Sequence, residues 1–193
     1  MRIPGTVIVA ALIATGTSAG ETRRDSLREV RVCMNPGGNA STVFRAEATA
    51  SRIFERLGLK MVWHGDPRSC TAPNDGIVII LVGNTPADRH PGALAYATLS
   101  ERTVVVFHDR VQAAAIPPLQ AHVLIHEITH ILQGVVRHSE TGMMKSSWDH
   151  RDYVNMDRSL PFTDQDVRLI HRGLDIRTSQ VSGRASPKAA GSK

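Results

Sequence analysis

Apolar and polar positions along this chain alternate with two different periods, and the switches between them outline the domain. "EVRVCMN" (29–35) alternates with period two and predicts a strand. From Val43 to Leu57 the apolar residues fall at 43, 46, 50, 53, 54 and 57, the spacing of a helix with one buried face, and Gly58 offers a stop. The break "PGGN" before it supplies Asn39 or Ser41 as a cap. "LKMVWH" (59–64) predicts a second strand. "GIVIILVG" (76–83) is a continuous apolar run, as expected of a strand buried on both faces. "ALAYATLS" and "RTVVVFHD" predict two more strands around a tight turn near Glu101.

After "IPP" a long helix is expected from about Leu119 to Gly134, and little regular structure from Val135 to Pro161. In "FTDQDVRLIHRGL" Thr163 and Asp166 form a capping box and Gly173 is expected to end the helix. The order of strand, helix, four strands, helix and helix predicts an α+β fold, a mixed twisted sheet backed by helices. Residues 20–177 are read as one domain, and the small, polar segment 178–193 as a disordered basic tail. There is no internal repeat.

The first 19 residues change the picture of where the chain works. One Arg, an apolar run and "TSA" before Gly20 read as a secretory signal peptide cut after Ala19. The run is short and broken by Gly and Thr, so stable membrane insertion is not expected after signal removal. The remaining cysteines, Cys33 and Cys70, are expected to pair in an oxidising compartment, the alternative being two buried thiols. A net charge of +5 is spread along the chain without a basic helix or aromatic platform, which argues against a nucleic-acid partner.

Chemistry concentrates in "HEITHILQGVVRHSETGMM", His126 to Met144. Histidines four apart leave one face of a helix a turn apart, so His126 and His130 can meet one zinc ion. Glu127, displaced round the helix, is placed to hold the metal-bound water and take its proton. Gly134 turns the chain back, and His138 follows where a third ligand can return. Three histidines leave a position open for water, whereas a structural zinc site takes four protein ligands.

These residues resemble the metzincin superfamily of zinc peptidases, whose signature is H-E-x-x-H-x-x-G-x-x-H followed by a methionine turn. The specific matching is confined to 126–144, and the order of elements fits in outline over 29–174. Here the glycine comes four residues after His130 and His138 four after Gly134; strict alignment would place Gln133 and Val136 at the glycine and third-ligand positions. The resemblance therefore carries over to His138 through a turn two residues longer, with Glu140 the alternative ligand. Gly142-Met143-Met144 matches the methionine turn, with Met144 at its methionine; Ser146 stands where some members carry a tyrosine. Tyr153 is either an oxyanion donor or a structural tyrosine.

His122, one turn before His126, continues the same helical row and is either a decoy or a residue supporting the ligands, a turn too far to join the zinc itself; His150 is a weaker candidate for the supporting role. His64, His90, His108 and His171 read as ordinary histidines. The resemblance implies a secreted zinc-dependent metalloendopeptidase with Zn2+ as cofactor and a peptide or protein substrate. "ALAYATLS" would be the edge strand that pairs with extended substrate. The alternative is a non-catalytic zinc-binding or adhesion module on the same scaffold.

Overall fold

A computed structural model describes residues 27–35, 37, 40–70 and 76–184. The segment read as a signal peptide, the candidate cap Asn39 and residues 185–193 of the expected tail lie outside the described residues. The fold is mixed α+β. Five strands, β1 (Arg28–Met34), β2 (Leu59–His64), β3 (Ile77–Val82), β4 (Ala95–Thr98) and β5 (Thr103–Phe107), form one sheet in the order β2-β1-β3-β5-β4. β1 runs parallel to β2 and β3, and β3 parallel to β5. Only β4 is antiparallel, pairing Ala95 with Val106 and Thr98 with Thr103 at the edge.

Parallel neighbours need a crossover, and α1 (Ala40–Glu55) makes it between β1 and β2. Its buried stripe of Val43, Ala46, Ala50, Ile53 and Phe54 is the helical period read from the sequence. It packs beside α3 (Leu119–Gln133), which follows the short α2 (His108–Ala113). Both helices cover the sheet face that carries Val30, Val32, Met34, Ile77, Ile79, Val104 and Val106, all buried.

The opposite face is thinly covered, and this corrects the reading of β3 as buried on both sides. Ile80 is 45% exposed, so the apolar run is one-sided after all. Cys33 is nevertheless fully buried on that face, because its disulfide to Cys70 ties down the 3-10 turn Pro67–Cys70. Strands of a sheet with one open face usually alternate more cleanly than "IVIILV" does.

Two further expectations are corrected near the C-terminus. The segment 135–161 contains α4 (His150–Asn155), started by a capping box between Asp149 and Asp152, and a 3-10 turn Met156–Arg158. Helix α5 (Asp164–Arg184) passes through Gly173 instead of ending there, so residues 178–184 are helical. Gly173 is a contact point: a Cβ there would collide with the Leu132 carbonyl oxygen of α3. The glycine lets α5 lie on the end of α3, where the Arg177 guanidinium donates to Leu132 O and, at 3.1 Å, to Gly173 O. Carbonyls that the end of α3 leaves without intrahelical donors thus gain one. Among the described residues no helix is long and apolar enough to cross a membrane.

Candidate metal centre

Helix α3 begins after Pro117-Pro118 and stops at Gly134, which closes it in the left-handed conformation with its N–H on His130 O at 2.9 Å. Every residue of the helix is buried, including His126, Glu127 and His130. Burying that many polar groups costs free energy unless each has a partner, so their partners define the site.

His126 Nδ1 lies 2.9 Å from the Met143 carbonyl, and His130 Nδ1 3.3 Å from that of Val135. A carbonyl only accepts, so both rings carry their proton on Nδ1 and leave a lone pair on Nε2. Those two Nε2 atoms face each other at 3.1 Å. Neither has a proton to donate, and two lone pairs at that distance are reconciled by a cation that both can ligate. His138 completes the group: the donor atoms of His126, His130 and His138 all lie within 4.8 Å of one another. This buried and exposed set can hold a metal ion, and imidazole donors suit zinc and its neighbours in the first transition row. Glu140 is exposed and outside the converging group.

Burial pushes the His126 pKa down to about 4, against the pull of the Met143 carbonyl, with the other two imidazoles adding to the fall. Burial also lowers His130, with His138 beside it, and His138, beside Arg137. All three rings are therefore neutral and able to ligate at physiological pH. Glu127 is shifted the other way, up to about 7, by burial.

The loop between His130 and the methionines is held by residues whose part was not legible in the sequence. Asp166, in the first turn of α5, is fully buried. Its Oδ1 accepts from Arg137 Nη1 at 2.9 Å and from Ser139 Oγ at 2.7 Å, so it grips both neighbours of His138. Its Oδ2 accepts from Thr163 N at 3.0 Å and Thr163 Oγ1 at 2.7 Å. Burial raises its pKa, but the hydrogen bonds from Thr163, Ser139 and Arg137 outweigh burial and hold it below the usual carboxylate value. The capping box was visible as Thr163 and Asp166, but the grip on 137–139 depends on a contact 27 to 29 residues away.

Met143 and Met144 are both fully buried, and both act through the backbone: Met143 O orients His126, and Met144 O accepts from Ser139 N at 2.7 Å. The turn before them needs Gly142, whose φ is +77° and whose added Cβ would strike the Pro161 carbonyl. His122 does not join the converging donors. It is fully buried, with Nδ1 2.9 Å from Pro118 O, and Nε2 accepts from Leu160 N at 3.3 Å. Trp148 stands edge-on to the rings of His122 and His126, with centroids 6.2 and 5.6 Å away.

A cleft of about 390 Å³ opens over the group, lined among others by Leu94, Ala95, His126, Glu127, Trp148 and Tyr153. The edge strand β4 thus starts at its rim, and half-buried Tyr153 reaches it from α4. His90 lines the cleft too, although its sequence context read as ordinary; His150 is exposed at the start of α4 and does not. No protein-family model matches the chain, and neither does any curated protein.

Proposed function

We propose that the protein is an exported zinc-dependent metalloendopeptidase of the metzincin type, with His126, His130 and His138 as zinc ligands and Glu127 as general base. The observation that carries this reading is the convergence of three neutral imidazoles at a cleft that a buried glutamate also lines. Three histidines leave zinc an open position, as in catalytic rather than structural sites. Zinc in such a site supplies Lewis acidity, polarising a carbonyl and making water nucleophilic near neutral pH.

The remaining work falls to the chain. Glu127, with a carboxyl shifted to about 7, can accept a proton from the attacking water and pass it to the leaving amine. Tyr153 faces the same cleft and can donate to the developing oxyanion. The outer edge of β4 can pair with an extended peptide, which fixes the backbone with little demand on side chains. The disulfide fits an oxidising compartment.

The test is zinc content together with hydrolysis of a broad peptide library. The expected result is about one zinc per chain and cleavage that Glu127→Gln abolishes while zinc stays bound. A wild-type protein that binds zinc and cleaves nothing would make the site a binding module. One that binds no zinc would remove the reading altogether.

A further inference from the structure

On the far side of α3 a second cavity, about 510 Å³, lies between the end of that helix, α5 and the turn before β5. Three arginines line it, Arg102, Arg172 and Arg177, and among the described residues no carboxylate does. The Arg102 guanidinium makes no hydrogen bond or ion pair with any described residue, and its Nε is buried without a partner. Among the described residues Arg177 donates only to the carbonyls of Leu132 and Gly173. Arg102 sits close enough to add to the fall in the Arg177 pKa, which burial first and this repulsion second bring to about 10. The Arg102 backbone is itself unusual, with φ at +52°.

Like charges gathered in a half-buried cavity repel, and an unpaired buried N–H costs free energy that water does not recover. A planar oxyanion relieves the repulsion, since a guanidinium offers a fork of donors matched to two oxygens. Ser100, Gln133 and Gln180 also line it, but one wall is aliphatic: Val135 is 39% exposed and Ile176 49%, and Leu169 adjoins them. Exposed aliphatic groups beside unpaired guanidiniums suit a ligand with a charged head and a hydrocarbon body.

We infer that this cavity is a binding site for a small amphiphilic oxyanion, its acid group held by Arg102 and Arg177 with the exposed Arg172 adding its charge at the rim, and its apolar part against Val135 and Ile176. It is separate from the histidine cleft, and nothing in it depends on the peptidase reading. It does adjoin that centre, because Val135, which lines the cavity, supplies the carbonyl that orients His130.

The experiment is a titration of the full chain with octanoate, inorganic phosphate and octanol, read by calorimetry and by thermal unfolding. Octanoate should bind saturably and raise the unfolding temperature, phosphate should bind more weakly at the same place, and octanol should not bind. Arg102→Gln should weaken octanoate at least about tenfold, as expected for loss of a charge-assisted hydrogen bond, and Arg172→Gln should weaken it less. Arg151→Gln, on the exposed face of α4, should leave it unchanged. Arg172 is exposed, so its variant keeps the test decisive if Arg102→Gln fails to fold. Octanoate affinity unchanged in both variants, or no saturable binding to the wild type, would overturn the inference; so would phosphate binding as tightly as octanoate, since the apolar wall would then contribute nothing.

Discussion

Asp166→Asn isolates the group that holds the third histidine in place. The side chain keeps its shape but loses its charge, and one oxygen becomes an NH2. Oδ1 now serves Arg137 and Ser139, and the amide nitrogen meets the Thr163 N–H that Oδ2 accepted at 3.0 Å; in the other flip the clash moves to the Arg137 side. Hydrogen bonds to a buried charged group contribute about 1.5–3 kcal/mol each, and breaking a buried ion pair by removing one partner costs about 3–5 kcal/mol. Arg137 is 30% exposed on its side chain, so water recovers part of its loss. A net loss of about 3 kcal/mol is expected, roughly 10 °C in unfolding temperature for a domain of this size.

The pH dependence gives an independent reading of the same carboxylate. Its folded pKa lies below the unfolded value, so its contribution is fully present above about pH 4 and is lost as pH falls through the lower folded value. Asp166→Asn should remove that acid-limb dependence. Freed from its grip, the 137–139 loop should let zinc affinity fall about tenfold, the low end for groups that orient metal ligands. Thermal unfolding from pH 2 to 7 and chelator competition measure these effects. A variant within 2–3 °C of wild type, or one whose zinc affinity is unchanged while stability drops, would refute the account of Asp166 as the residue that positions His138.

His126→Ala and His130→Ala should each abolish zinc binding and His138→Ala weaken it, with Glu140→Ala unchanged; equilibrium dialysis decides, and a loss at Glu140 would reassign the third ligand. Protein freed of metal should lose stability as pH falls from about 6.5 towards 4. His126, held to about 4 by burial, resists the proton that the unfolded chain takes up, so the unfolded state gains; pH-dependent denaturant curves test this. Gly173→Ala, normally worth up to about 1 kcal/mol of added helix stability, should instead cost about 1–3 kcal/mol by overpacking against Leu132 O. Replacing Cys33 and Cys70 by Ser should cost roughly 4 kcal/mol on the loop-entropy model for their separation of 37 residues, measured by urea unfolding.

Local periodicity carried a large part of this protein. The strands, the first helix and the helix bearing His126, Glu127 and His130 follow from spacings of two and three to four residues, because side-chain direction along a regular element is set by the element itself. The pairing of Cys33 with Cys70 followed from there being only two cysteines. The same local reasoning misread β3, since an apolar run reports what a strand tolerates and not what covers each face; Ile80 is left open because no helix packs there. It misread Gly173 for a related reason. Glycine marks both helix ends and close contacts between helices, and only the position of the Leu132 carbonyl separates the two. Tertiary structure alone decided that His138 rather than Glu140 joins the converging donors, that Asp166 reaches back to grip both its neighbours, and that Arg102 comes to lie beside Arg177. The last two are meetings of groups tens of residues apart, settled by how the elements pack on one another, and no spacing along the chain encodes that packing.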